Sequence, residues 1–169
     1  HTPLTVINYS LFGCASGFLL GTAWAAAQAP ALVPALALWT AGFTLSALVT
    51  RLASLARNAR IRPKSTIQTA IGVKHPRIAQ KSEGFMGGSF NTREFFHARP
   101  LAWLRAVKWV FLLLVFPLPM ALLAAGAAFV SWPLLAAAFA LQYLGLLAER
   151  WYFFAQARHP QNLYYQAIS

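Results

Sequence analysis

Two long stretches without a single Asp, Glu, Lys or Arg constrain this chain more than any other feature. They cover residues 2–50 and 109–148. At about 1.5 Å of helical rise per residue, each stretch is long enough to cross a hydrocarbon core of about 30 Å twice. The 59% hydrophobic and 10% charged content exclude an ordinary soluble core. The sequence therefore predicts an all-α membrane protein with four transmembrane helices.

Prolines divide each charge-free stretch into two helices. Pro30 and Pro34 interrupt the first stretch, and a Ser-Trp-Pro segment at 131–133 interrupts the second. Pro117 and Pro119 remove backbone donors inside the third helix and predict a kink near its middle. The predicted spans are helix one at Leu4–Ala27, helix two at Ala31–Leu55, helix three at Trp103–Ala125 and helix four at Pro133–Ala157.

These spans form two hairpins joined by a long basic loop. The predicted regions are transmembrane hairpin one at 1–56, a basic surface loop at 57–102, transmembrane hairpin two at 103–157 and a C-terminal tail at 158–169. All fourteen basic and three acidic residues lie on the side of the loop and the tail, and the two opposite turns carry none. The positive-inside rule therefore predicts that the loop and the tail are cytoplasmic.

Helix one carries small residues at a spacing of four. Gly13, Gly17 and Gly21 form a stripe that is typical of helix packing, either within this chain or against a partner helix, and a cofactor lying in the groove is the alternative. Cys14 is the single cysteine, so an intrachain disulfide is excluded, as is a cluster ligated by several thiolates of this chain. We expect Cys14 to be a small, buried packing residue.

The chain offers few groups for catalysis or metal binding. A haem held between membrane helices needs axial ligands in mid-helix, whereas the histidines lie at or beyond the helix ends. They are His1, His75, His97 and His159. Three glutamates, Glu83, Glu94 and Glu149, do not provide paired carboxylates for hydrolysis. The sequence therefore predicts no catalytic residue, no metal site and no cofactor bound covalently or through metal ligands.

Ionisable groups near the end of helix four are the main exception. Glu149 and Arg150 lie close to the hydrocarbon boundary, where charges are costly and are usually paired, so an ion pair is one interpretation. The other begins from Gln142, Gly145 and Glu149, which share one helical face. This polar stripe is a candidate to accept or relay a proton from a quinol. The candidate residues for quinone binding or proton relay are Glu149, Arg150, Gln142 and His97.

Twelve of the fourteen Lys and Arg residues lie between Arg51 and Lys108. Since these cations flank apolar blocks, contact with anionic lipid is favoured over nucleic-acid binding, and docking of a partner protein is the other interpretation. Alternating side chains weakly favour an extended segment at 64–73. The candidate docking residues lie further along the loop: Asn91, Arg93, Glu94, Phe95, Phe96 and His97.

Three segments carry a resemblance to a known family. They are His-Thr-Pro-Leu-Thr-Val-Ile-Asn at 1–8, Gly-Gly-Ser-Phe-Asn-Thr-Arg-Glu-Phe-Phe-His at 87–97, and Ala-Glu-Arg-Trp-Tyr-Phe-Phe-Ala-Gln-Ala-Arg-His at 148–159 with Asn-Leu-Tyr-Tyr at 162–165. Across essentially its whole length, the chain resembles the C-terminal half of the membrane-anchor subunit of dimethyl sulfoxide reductase-type molybdoenzymes.

This resemblance implies half of an eight-helix bundle in the bacterial inner membrane. It implies a haem-free, non-catalytic anchor that docks an iron–sulfur subunit and a molybdopterin catalytic subunit, which hold the clusters and the molybdopterin. Menaquinol or ubiquinol would be the substrate in the membrane. In the family's best-known arrangement this loop and the catalytic subunits lie on the periplasmic face, whereas the charge pattern predicts the cytoplasmic one. A small membrane transporter, or a scaffold with a lipid-binding basic loop, is the alternative function.

Overall fold

The computed structural model describes residues 3–61, 66–76 and 101–156, and every regular element in these ranges is helical. The elements are α1 (Pro3–Gln28), a 3-10 turn (Pro30–Leu32), α2 (Val33–Arg60), α3 (Ile67–Ile71), α4 (Leu101–Val115), α5 (Pro117–Ala128) and α6 (Trp132–Ala155). Four spans are long and apolar enough to cross a membrane: Pro3–Gln28, Pro30–Arg60, Ala102–Ala128 and Trp132–Ala155. The predicted all-α class with four transmembrane helices is confirmed.

The distribution of polar and apolar side chains is the reverse of that in a soluble protein. Large apolar side chains cover the outside, including Leu38 at 76% exposure and Phe129 at 78%. Polar side chains lie inside: Asn8, Thr22, Thr40, Thr44, Arg51, Gln142 and Glu149. Five tryptophans are more than half exposed: Trp24, Trp39, Trp103, Trp109 and Trp132. A surface of this kind requires a hydrocarbon solvent, so the chain is a multi-pass membrane protein.

The chain divides into two compact units, residues 1–61 with 109–149 and residues 62–108 with 150–169. In the first unit α1 packs along α2, and α2 also contacts α5. A buried apolar cluster joins α1, α5 and α6, and consists of Leu19, Ala23, Leu123, Leu135 and Ala138. Alanines on α2 pack against this cluster, which allows close approach of the helices.

The face of α1 that packs is not the glycine stripe. Its buried apolar positions include Phe12, Ala15, Leu19 and Ala23, spaced by three or four residues. A Cβ atom added at any of the three stripe glycines, Gly13, Gly17 and Gly21, would meet nothing within 4 Å. The glycine stripe therefore packs against nothing in the described part of this chain, and its association with a partner helix stays a prediction. Cys14 is exposed beside it, so its expected burial is wrong.

The kink predicted in the third membrane span lies at Phe116, where α4 ends and α5 begins. The chain continues as one span because Met120 N–H donates to the carbonyl of Phe116 over 3.1 Å. Pro119 has no N–H, so it cannot donate to the carbonyl of Val115 one turn earlier. This leaves the Val115 carbonyl to find a partner outside its own helix.

Two helical segments differ from the sequence-based expectation. Helix α2 continues past Leu55 to Arg60, with Arg57 and Arg60 in a last turn that favours cations. The expected extended segment at 64–73 is wrong for its described part, because Ile67–Ile71 is helical. Thr66 Oγ1 accepts from Thr69 N–H over 3.3 Å, and Gly72 ends the turn at a φ of 72°. This capping offsets the β preference of the branched side chains.

Candidate functional site

A buried ion pair joins the two hairpins inside the first unit. Arg51 Nη2 of α2 lies 2.7 Å from Glu149 Oε1 of α6, and the two side chains are only 2% and 1% exposed. The Arg51 guanidinium also lies 5.4 Å from the ring centroid of Phe111. Since an isolated charge in this position is costly, each member of the pair depends on the other.

Helical spacing explains why these two residues face the interior. On α2, the buried positions Thr40, Thr44, Ala47 and Arg51 follow one another at intervals of three or four residues. On α6, the buried positions are Leu135, Ala138, Gln142, Gly145 and Glu149, again at such intervals. Each set forms one stripe along its helix. Both stripes begin with apolar or weakly polar residues and reach a charged residue near the C-terminal end.

Helices α2 and α6 run in the same direction through the first unit. Ala37 and Ala41, early in α2, pack against the cluster that contains Leu135 and Ala138, early in α6. The ion pair forms further along both helices. Residues at equal distances before the pair therefore lie at similar depths in the bundle.

Gln142 completes the backbone that the kink leaves open. Its Nε2 donates to the Val115 carbonyl over 3.4 Å, and this carbonyl is the one that Pro119 cannot serve. The amide orientation follows, because the reverse orientation would set Gln142 Oε1 against another acceptor. Gln142 therefore has a structural role in addition to the one proposed from sequence.

Gly145 brings α6 against α4 between Gln142 and Glu149. A Cβ at this position would lie 2.8 Å from the Cβ of Leu114, 2.8 Å from Cγ2 of Val115 and 2.9 Å from the backbone carbon of Leu114. A backbone atom at that distance cannot be displaced by a side-chain rotation. Glycine is therefore required for the separation that lets Gln142 reach Val115.

Inter-helix hydrogen bonds tie α1 to α2 near both ends of the hairpin. Asn8 Oδ1 accepts from Thr50 Oγ1 over 3.0 Å, next in sequence to Arg51. Near the turn, the hydroxyls of Thr22 and Thr40 lie 3.2 Å apart. Such bonds contribute modestly each, but they fix the rotation of α2 that points Arg51 inward.

The structure brings together Glu149 and Gln142 of the candidate set, and it places Arg150 elsewhere. Arg150 is exposed, with its guanidinium 5.9 Å and 5.5 Å from the ring centroids of Phe153 and Phe154. Adjacent residues on a helix do not share a face, so the Glu149 carboxylate is paired across helices instead. His97 and the other proposed docking residues, at 91–96, lie outside the described residues.

Arg51 is the residue that sequence reasoning missed. Its place in the basic segment suggests a surface position, whereas it is buried in the bundle. The signal that could have found it is its spacing from Thr40 and Thr44, which extends a polar stripe along α2. Among the described residues, no group of three His, Cys, Asp or Glu side chains is placed to hold a metal ion.

Comparison with known proteins identifies one informative relative. The chain is 52% identical over all 169 residues to a membrane-complex protein of Allochromatium vinosum that is named as a subunit of sulfite dehydrogenase. It spans about half (52%) of that protein's length. No protein-family model and no solved structure matches the chain. The resemblance to anchor subunits is thus supported at the level of a membrane protein homologous to an oxidoreductase subunit, and not for dimethyl sulfoxide reductase in particular.

Replacing Gln142 by Leu is expected to lower the free energy of unfolding by about 1 kcal/mol, because the Val115 carbonyl loses its donor. In a Pro119→Ala background the restored N–H serves that carbonyl, so the cost of the Gln142 substitution should fall towards zero. A double-mutant cycle on the detergent-solubilised protein measures this coupling. An identical cost in both backgrounds would contradict the proposed role of Gln142.

Proposed function

We propose that this chain is a membrane-anchor subunit of an oxidoreductase complex, which supports electron transfer between the membrane quinone pool and an iron–sulfur subunit. A molybdopterin catalytic subunit would complete the complex. The 52% identity to the sulfite dehydrogenase subunit, over the whole of this chain, is the observation that carries this proposal. The name of that relative favours electron flow from the catalytic subunit towards quinone.

The proton requirement of quinone chemistry gives the buried pair a function. A quinone that takes up two electrons must also take up two protons to become a quinol, and oxidation releases both. The Glu149 carboxylate is the acidic group inside the first unit's described helices, and Arg51 fixes its position. With 1% exposure Glu149 suits proton relay better than direct contact with a headgroup that approaches from lipid. Gln142, Arg150 and His97 complete the proposed set for quinone binding or proton relay.

We propose the loop segment at 91–97 as the docking element for the partner subunits, on the cytoplasmic face of the bacterial inner membrane. It combines aromatic side chains with charges of both signs, as protein interfaces commonly do. The basic residues on either side would hold anionic lipid.

Simultaneous replacement of Arg93, Glu94 and His97 by Ala is expected to release the partner subunits while the chain still inserts in the membrane. Quantifying those subunits in the washed membrane fraction checks this. The matched control replaces Arg57, Arg60 and Lys74, which removes more positive charge and should leave the complex intact. Retention of the partners by the first variant would reject the docking assignment.

Purification from native membranes in a mild detergent tests the function itself. We expect iron–sulfur and molybdopterin subunits to co-purify, and the preparation to transfer electrons to or from a quinone analogue in an inhibitor-sensitive reaction. A chain that purifies without any redox partner would count against the proposal.

A transporter or scaffold is the second candidate, and the buried Arg51–Glu149 pair is the observation that favours it. Ionisable residues inside membrane bundles frequently mark ion or substrate paths. Solute flux in liposomes that hold this chain without any redox partner would support this function. Flux only in the presence of quinone turnover would support the anchor.

A further inference from the structure

Three deeply buried side chains carry polar atoms that have no hydrogen-bond partner in the described part of the chain. They are Oγ1 of Thr44, Oε1 of Gln142 and Nε of Arg51. Each of the three residues is 2% exposed. Buried polar atoms are nearly always satisfied by protein or by ordered water, so three together indicate a bound partner.

Helical register places these groups on one internal path. Thr44 lies seven residues before Arg51 on α2, and Gln142 lies seven residues before Glu149 on α6. Since α2 and α6 are parallel and Arg51 pairs with Glu149, Thr44 and Gln142 lie at the same depth, about 10 Å from the ion pair along the helices. All four side chains belong to the buried stripes of their helices.

The hydrogen-bonding capacities of the free atoms are complementary. Thr22 and Thr40 donate their hydroxyl hydrogens to the Phe18 and Leu36 carbonyls, as helical threonines commonly do. The hydroxyl of Thr44 makes no such bond and remains able to donate and to accept. Gln142 uses Nε2 on the Val115 carbonyl, which leaves Oε1 as a pure acceptor.

We propose that Thr44 and Gln142 bind internal water, and that this water continues to Arg51 and Glu149 as a proton path inside the bundle. A water molecule can donate to Gln142 Oε1 and exchange hydrogen bonds with the Thr44 hydroxyl. Further water spans the interval to Arg51 Nε and the Glu149 carboxylate. Exposure of 2% or less at all four residues favours water over a quinone headgroup as the occupant. The hydration stands alone, whereas its use in turnover rests on the proposed function.

Protons would move along this path by exchange between neighbouring hydrogen bonds. Each water accepts a proton on one side and releases one on the other, so the path carries charge without net chemistry. Glu149 exchanges protons with quinone reduction or quinol oxidation, and the Thr44–Gln142 water supplies or removes them. The carbonyl-capping bond of Gln142 holds the path in register with α4.

The test uses the intact complex and three variants. Thr44→Val keeps the shape but removes the hydroxyl, Thr44→Ser retains it, and Ser46→Ala removes an exposed hydroxyl two residues away. We expect a high-resolution cryo-electron microscopy map to show water density between Thr44 and Gln142, and Thr44→Val to lose it. Quinone-linked turnover should fall about tenfold in Thr44→Val, less than the roughly hundredfold loss typical of removing a direct proton-transfer group. Thr44→Ser and Ser46→Ala should keep both the density and the rate.

Two results would overturn the inference. One is a map that resolves other ordered waters but none between Thr44 and Gln142. The other is a Thr44→Val complex that turns over at the wild-type rate. Failure of the proposed function looks different, because the wild-type complex would then show no quinone-linked turnover whatever residue occupies position 44.

Discussion

Replacing Arg51 by Met, with Glu149 unchanged, is expected to lower the free energy of unfolding by about 3–5 kcal/mol. The reason is that the Glu149 carboxylate would remain buried without its cationic partner. Glu149→Gln should destabilise for the converse reason, since it leaves a buried guanidinium. Equilibrium unfolding of the detergent-solubilised protein, or thermal inactivation of the complex, measures both effects.

The double variant separates the pair from its members. Arg51→Met combined with Glu149→Gln should recover much of the lost stability, because no uncompensated charge remains. Arg57→Met is the matched control on the same helix: it is exposed, so its effect should stay within about 0.5 kcal/mol. Additive costs in the double variant would mean that Arg51 and Glu149 do not interact energetically.

Substituting Ala for Gly145 is expected to destabilise by about 1–3 kcal/mol, although Ala is the better helix former by about 1 kcal/mol. The added methyl group would lie 2.9 Å from the backbone of Leu114, so α6 must move away from α4. That movement also lengthens the bond from Gln142 to Val115. Thermal denaturation of purified protein measures the loss.

Gly17 and Gly42 provide controls with the same chemical change. A Cβ at either position meets nothing within 4 Å, so Gly→Ala there should be neutral or stabilising. Equal destabilisation at all three positions would show that the α4–α6 approach is not what requires glycine. In the assembled complex, destabilisation at Gly17 alone would point to a partner helix on the glycine stripe.

The helical hairpins were predictable because hydrocarbon thickness and proline placement are local constraints. Pro117 and Pro119 predicted the break at Phe116 for the same reason. Boundaries were less certain: α2 extends to Arg60 because basic side chains suit a helix C-terminus at the membrane surface.

The ion pair was only half predictable. The spacing of Gln142 and Glu149 indicated one buried polar face on the last helix, but the partner of Glu149 is set by packing between hairpins. A single sequence gives no information on the relative rotation and depth of α2 and α6, which decide that Arg51 is the partner. Counting Arg51 among the loop cations concealed the role of its helical spacing. Likewise, the glycine stripe showed where a helix can approach and not whether one of these helices does.

Quinone-linked turnover of the purified complex, compared between wild type and Glu149→Gln, tests the central claim most directly. Both preparations must retain the partner subunits, so that loss of assembly is not mistaken for loss of proton transfer. We expect inhibitor-sensitive turnover in the wild type and a loss of about a hundredfold in the variant. Equal turnover in the two complexes would remove Glu149 from the reaction, and absence of quinone-linked turnover in an intact wild-type complex would contradict the anchor function itself.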